Sequence, residues 1–272
     1  MKFAYLLTLI IVFSQCSSKE TNLVWSDEFD DVQKLGEKWN IVEGNGCPEL
    51  CGFGNNELQY YTALEENLKV ENGKLIIQAL KNQNRTYTSA KLTTEKMAEW
   101  QYGYIEVRAK LPDARGTWPA IWMLPTLDKR IEWPKDGEID IMEYVGYNPG
   151  TVYGTIHTES YNHIKGTEKT DSIKVEDADE NFHTYAIHWT DQKIEWLVDD
   201  NPYHVVYKKS GDNSTWPFDK KFHLIINLAI GGNWGGKYGV DDQSFPQEFV
   251  IDYVRVYSEK PTKTNYSQAS ID

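Results

Sequence analysis

The stretch Tyr102-Gly103-Tyr104-Ile105-Glu106-Val107-Arg108-Ala109-Lys110-Leu111 sets the fold class. Ile105, Val107, Ala109 and Leu111 alternate with Glu106, Arg108 and Lys110, the period-two pattern of a strand buried on one face. The alternation returns in 193–199, where Ile194, Trp196 and Val198 alternate with Glu195, Leu197 and Asp199. In 69–77, Asn72-Gly73 separates two apolar runs, the strongest short hairpin signal. The segments 182–189, 222–230 and 249–257 are further short β-rich runs, and no amphipathic helix of useful length interrupts them. Many short strands separated by turn signals predict an all-β chain, a two-sheet β-sandwich of jelly-roll type. One curved, aromatic-lined sheet would give it a concave substrate cleft. No Pro- or Gly/Ser-rich linker divides the chain, so one domain is expected over 23–258, followed by a polar, flexible tail over 259–272.

Composition narrows the ligand. Lys and Arg number 28 against 41 Asp and Glu, a net charge of −13. Such a surface repels phosphate backbones and anionic membranes, which excludes nucleic acid as a partner and favours a neutral or cationic ligand. The 10 Trp and 17 Tyr are either core or a platform for flat apolar ligand faces. The charge and a short polar tether suggest a monomer.

Residues 1–16 read as an export signal, with Lys2 ahead of the apolar run Phe3 to Phe13. That run is shorter than the roughly 20 residues a membrane span needs. Cys16, followed by Ser17-Ser18-Lys19, resembles the lipidated cysteine of a bacterial lipoprotein, although Phe13-Ser14-Gln15 departs from the usual box before it. Lipidation would leave 17–22 as a tether and put the protein at an outer membrane or cell surface; simple secretion would leave it periplasmic or extracellular. An oxidising compartment favours a local disulfide between Cys47 and Cys51 over free thiols, and over a metal half-site that lacks a second Cys/His pair.

The densest chemistry lies in Asp136-Gly137-Glu138-Ile139-Asp140-Ile141-Met142-Glu143. On a strand Glu138 and Asp140 share a face, while Ile139 and Ile141 face the core. Glu143 is one residue out of phase, and a β-bulge at Ile141-Met142 would return it to the Glu138 face. Glu138 and Glu143 then stand about 13 Å apart at Cα. Side chains leaning together across a concave sheet could close to the roughly 5–5.5 Å of a retaining glycosidase pair. A solvated edge strand or a Ca²⁺ site would also gather acids, but Ca²⁺ loops are rich in Gly, Asn and Asp rather than isoleucine. In the glycosidase reading one glutamate attacks the anomeric carbon and the other protonates the leaving oxygen, then activates water. Asp140, between them, raises one pKa and orients the nucleophile.

These residues resemble the E-x-D-x-x-E signature of glycoside hydrolase family 16, in particular its laminarinase-like endo-β-1,3-glucanases. The resemblance extends through 23–30, 52–62, 116–125, 133–146, 154–158, 227–236 and 252–257. It implies the jelly roll, endo-hydrolysis with retention, and no catalytic cofactor. It assigns Glu138 as nucleophile, Asp140 as assisting acid and Glu143 as acid/base. Met142 marks the bulged branch of the family, that of laminarinases, agarases and carrageenases, and the alternative substrates within the family are mixed-linkage β-glucan, agar or carrageenan. A structural Ca²⁺ is common in the family, and the matching ligands are Glu28 and Gly73 by carbonyl and Asp252 by side chain. A non-catalytic glucan-binding relative is the reading from another class, disfavoured because both glutamates are present.

Further cleft residues follow by the same resemblance, each with a bland alternative. Trp118, Trp122 and Trp133 would line the cleft near the cleaved bond, or pack in the core. His157 would sit on the leaving-group side, or be a structural histidine. Arg108 would bond sugar hydroxyls, or be a surface charge. Asn56 and Glu57 would rim the cleft, or serve a turn. Trp234, between the glycine pairs of 231–236, would expose its indole. The sequence has no phosphate-binding loop, HExxH zinc motif or serine nucleophile elbow.

Overall fold

The computed structural model describes residues 22–84, 86–209 and 211–261. The expected signal with Cys16, the tether up to residue 21 and the tail from residue 262 lie outside the described residues.

In chain order the strands are β1 Leu23–Asp27, β2 Asn40–Ile41, β3 Gln59–Tyr61, β4 Leu68–Val70, β5 Leu75–Lys81 and β6 Tyr87–Ser89. Then come β7 Lys91–Thr93, β8 Gly103–Lys110, β9 Thr117–Pro125, β10 Glu138–Tyr144, β11 Thr151–His157 and β12 Lys169–Lys174. The last are β13 His183–Trp189, β14 Lys193–Val198, β15 Asn201–Tyr207, β16 Phe222–Ile230 and β17 Gln247–Tyr257.

They form two sheets. A seven-stranded sheet has the order β12-β11-β10-β9-β16-β7-β2. A ten-stranded sheet has the order β15-β14-β13-β8-β17-β5-β6-β3, with β1 added on β17 and β4 on β5. Pairing is antiparallel except between β3 and β6. Late strands are inserted among early ones, β16 between β9 and β7 and β17 between β8 and β5. Those crossovers give the jelly-roll sandwich that the alternation predicts.

The alternation also fixes which side chains fill the sandwich. Ile105, Val107 and Ala109 of β8 are fully buried, as are Ile121 and Met123 of β9 and Leu224, Ile226 and Leu228 of β16. Burying each larger aliphatic side chain is worth about 1.5–3 kcal/mol. The other face of β8 is not bare: Tyr104 joins Ala186, Leu197 and Tyr257 in a second buried cluster. The Asn72-Gly73 hairpin forms as expected between β4 and β5. Both turn residues have positive φ, 53° and 68°, as a type I′ turn requires.

One side chain ties the sheets together at the place that matters for chemistry. Trp196, fully buried on β14, donates its indole N–H to the Asp140 carbonyl of β10 at 2.7 Å. It sits against Gly154 of β11, where an added Cβ would lie 2.4 Å from Trp196 Cδ1 and 2.6 Å from the Tyr203 hydroxyl. Gly154 is therefore required by space. Gly154→Ala is expected to lower stability by about 1–3 kcal/mol, read by urea denaturation, because a rigid indole must move to admit one methyl.

Candidate active site

β10 carries the acids. Its register against β11 runs Asp140↔Thr155 and then Glu143↔Tyr153, and against β9 it runs Asp140↔Trp122 and then Met142↔Ile121. One extra residue therefore lies within Ile141-Met142, and both side chains are buried. The bulge returns Glu143 to the face of Glu138 and Asp140, and all three line one cavity.

Each acid has a distinct setting. Trp133 Nε1 donates to Glu138 Oε2 at 3.1 Å, and Trp118 Nε1 donates to Glu143 Oε1 at 3.0 Å. Asp140 is only 3% exposed, and its Oδ2 has no hydrogen-bond partner among the described residues. The nearest cationic-type atom to it is His157 Nε2, at 3.5 Å; the same nitrogen is 3.8 Å from Glu138 Oε1. Ligand-type atoms of Glu138, Asp140 and His157 thus lie within 4.8 Å of one another.

Burial raises the pKa of all three acids above the ordinary carboxylate range. The Glu143 charge raises Glu138 further, and both glutamates raise Asp140. The trio consequently holds protons at pH values where free carboxylates have lost them. Burial, and next the neighbouring His163, hold His157 down to about 3, so it is a neutral imidazole at physiological pH. Lys91 acts the other way: its charge favours the ionised forms of Glu138 and Glu57. Its ammonium lies 4.8 Å from the Phe53 ring centroid and 4.9 Å from that of Trp122.

The cleft has two halves that meet at Asn55, Trp118, Glu138 and Glu143. One half lies over β7, β9 and β16. There Trp122 Nε1 donates to Asn227 Oδ1 at 2.7 Å, and Asn227 Nδ2 donates to the Tyr61 hydroxyl at 3.0 Å. The Glu57 carboxylate accepts from Gln59 at 2.6 Å, and burial raises its pKa. The other half, ≈ 450 Å³, lies over β11 and β12 and includes His157, His163, Glu168 and Trp234. Trp234 packs edge-on against Trp118 at 5.6 Å, and Trp133 lies 5.0 Å from His163 between ring centroids. Cys47 and Cys51 are bonded, S–S 2.07 Å, in the loop leading to Asn55.

The expected site residues divide accordingly. Glu138, Asp140, Glu143, Trp118, Trp122, Glu57, His157 and Trp234 line the cleft, and Trp133 touches it through Glu138. Asn56 does not. At a φ of 57° it borders a neighbouring depression and donates at 2.7 Å to Asn233, which lines the cleft half over β11 and β12, while Asn55 lines the cleft with the acids.

Arg108 is on the wrong sheet for the expected sugar contact. It belongs to β8, behind the core, where it pairs with Asp252 and lies over the Phe182 ring at 4.9 Å. The set expected to hold Ca²⁺ does not fit a divalent cation here. Asp252, the member expected to ligate by its side chain, is compensated by Arg108 and by Lys74 at 3.7 Å. The Glu28 carboxylate takes two bonds from Arg255, at 3.0 and 2.8 Å, and Gly73 sits in its turn beside Asp30.

The residues that sequence reasoning missed are Lys91, Asn227, His163, Glu168 and Asn55. A signal existed for two of them. Lys91 lies between buried Ala90 and Leu92, and Asn227 lies between buried Ile226 and Leu228, so alternation points both away from the core.

Residues 55–255 match the profile of Glycosyl hydrolases family 16. The chain is 48% identical over 271 residues to a beta-glucanase of Rhodothermus marinus, with 93% of each chain covered. A solved laminarinase from Rhodothermus marinus superposes with a TM-score of 0.79 at 50% identity, covering 86% of this chain and 96% of that one. A laminarinase from Flavobacterium sp. UMI-01 gives a TM-score of 0.81 at 45% identity, covering 86% and 99%.

The raised carboxylates make stability depend on pH. A carboxyl whose folded pKa exceeds its unfolded value stabilises the fold below the unfolded pKa, and that contribution is lost as pH rises through the folded value. Glu138→Gln removes one such group. It is expected to be more stable than wild type at about pH 8, with the gap closing toward about pH 4, as read by thermal melts across that range.

Proposed function

Because the chain belongs to glycosyl hydrolases family 16, we infer that it cuts β-1,3-glucan chains of the laminarin type internally, by a two-glutamate double displacement that retains anomeric configuration. The carrying observation is the bulge that brings Glu143 onto the face of Glu138 within one tryptophan-lined cleft.

The roles follow the family signature, whose first glutamate is the nucleophile and whose last is the acid/base. Lys91 favours the anion at Glu138, and the Trp133 N–H bonds to that anion. By its place in the family signature Glu138 is the nucleophile: its oxygen bonds to the anomeric carbon as the glycosidic C–O bond breaks. Glu143, whose pKa burial raises to about 7, gives its proton to the departing oxygen. In the second half Glu143 takes a proton from water, the water oxygen attacks the anomeric carbon, and the bond to Glu138 breaks. Asp140 carries the proton that lets it stand beside an ionised Glu138, and neutral His157 adds no charge to the balance. No cofactor is needed, because the two carboxyls supply nucleophile, acid and base.

The indoles of Trp118, Trp122 and Trp133 hold their N–H groups on Glu143, Asn227 and Glu138, which leaves ring faces and edges for the C–H-rich faces of sugars. The same reading has the chain exported, tethered through a lipidated Cys16 and monomeric. Labelled fatty acid in the wild type, absent in Cys16→Ala, tests the tether.

Reducing-sugar release from laminarin tests the activity. Glu138→Ser and Glu143→Gln are each expected to lose at least about a thousandfold in kcat while melting cooperatively. Proton NMR of wild-type digestion should show the β-anomer first. Full activity in Glu138→Ser would overturn the assignment.

A further inference from the structure

The half of the cleft over β11 and β12 has an unusual charge balance. Glu138, Glu143 and Glu168 line it, and among the described residues no Lys or Arg does. Burial keeps His157 there neutral. The nearby lysines are engaged elsewhere. Lys169 lies 4.4 Å from the Tyr161 ring centroid, and Lys165 donates to the Glu159 carbonyl at 2.5 Å. The opposite half holds its cation, Lys91.

Glu168 has no task in the fold that explains its place. Its Oε2 is buried and has no hydrogen-bond partner among the described residues. The hydroxyls that share the cavity are turned to each other: Thr155 Oγ1 donates to Thr170 Oγ1 at 2.9 Å. A buried acceptor with no donor is costly, and proteins keep one chiefly where something outside the chain completes it. A pocket of this volume falls in the range that takes small ligands, roughly 300–1,000 Å³.

Resting on the glucanase reading, we propose that Glu168 is a specificity-determining residue. Its carboxylate accepts hydrogen bonds from the hydroxyls of the glucosyl unit held over β11 and β12. Its charge, added to that of the catalytic pair, excludes units that carry sulfate or carboxylate. A carboxylate accepts but cannot donate, so it completes its bonding with sugar O–H groups and meets an anionic substituent only with repulsion. Two like charges about 5 Å apart in a partly buried cleft discriminate on the order of a hundredfold.

The test uses the full chain and two glucans, a neutral laminari-oligosaccharide and a carboxymethylated β-1,3-glucan. In the Glu138→Gln background, which prevents turnover, calorimetry should show neutral-oligosaccharide binding weakened about tenfold or more by Glu168→Ala. Glu168→Gln, which keeps shape and one acceptor oxygen, should lose less. With Glu138 intact, Glu168→Gln should narrow the kcat/KM preference for neutral over carboxymethylated glucan by about tenfold or more. Should Glu168→Ala fail to fold, Glu168→Gln carries both measurements. Binding and selectivity within twofold of the parent would overturn the proposal while leaving the glucanase reading intact. Failure of the Glu138→Gln chain to bind the neutral oligosaccharide at all would take both down.

Discussion

Three mutually repelling carboxyl groups in one water-poor cleft set the terms for the rest of the molecule. Burial raises the pKa of Glu138, Asp140 and Glu143 together, and repulsion raises Glu138 and Asp140 further, so the cleft tolerates the trio by holding protons. The indoles of Trp133 and Trp118 each give one N–H to one glutamate, and Lys91 biases the sharing by favouring charge on Glu138. His157 stays neutral beside them, so no cation traps the trio in its fully ionised form. The arrangement opposes stability as pH rises through those raised values, as active sites commonly do. The buried aliphatic core of the two sheets offsets that cost.

Repulsion alone would push the acids to different faces; the backbone prevents it. Glu138 and Glu143 are an odd number of residues apart, so a regular strand would place them on opposite surfaces of the sheet. The extra residue within Ile141-Met142 corrects the phase and leaves apolar side chains to fill the core beneath. The supporting partners come from β9, which pairs with β10, and from β16, which a crossover from a distant part of the chain places on the other side of β9. Trp122 of β9, Asn227 of β16, Tyr61 of β3 and Glu57 just before it form a hydrogen-bonded chain, which fixes the cleft wall on one side.

Much of this was legible in the residues. Period-two alternation in 102–111 and 193–199 gave the strands and their core faces, Asn72-Gly73 gave a hairpin, and the phase slip at Met142 gave the bulge. Alternation says which face of a strand is buried, but not which sheet the strand joins. Arg108 shows the limit: its face was right, yet β8 lies behind the core from the acids. Asn56 shows another: its neighbour Asn55 lines the cleft, and Asn56 reaches it through its bond to Asn233. Lys91, Asn227 and Glu168 reach the site from segments far apart in sequence, and only the order of strands in the sheet brings them together. The calcium expectation rested on resemblance, and the ion pairs of Asp252 with Arg108 and Lys74 supply the missing positive charge from the chain itself.

Trp196 makes the interior and the reaction centre inseparable. Its ring seals the space between the sheets above Gly154, and its N–H grips the carbonyl of the middle acid. A change that relaxes the packing on β14 therefore alters the spacing of groups that must meet a single sugar ring, although that strand belongs to the other sheet. Engineering this protein for heat resistance by refilling its middle would mean retuning its catalyst as well. Surface positions far from that indole offer the safer ground for such work.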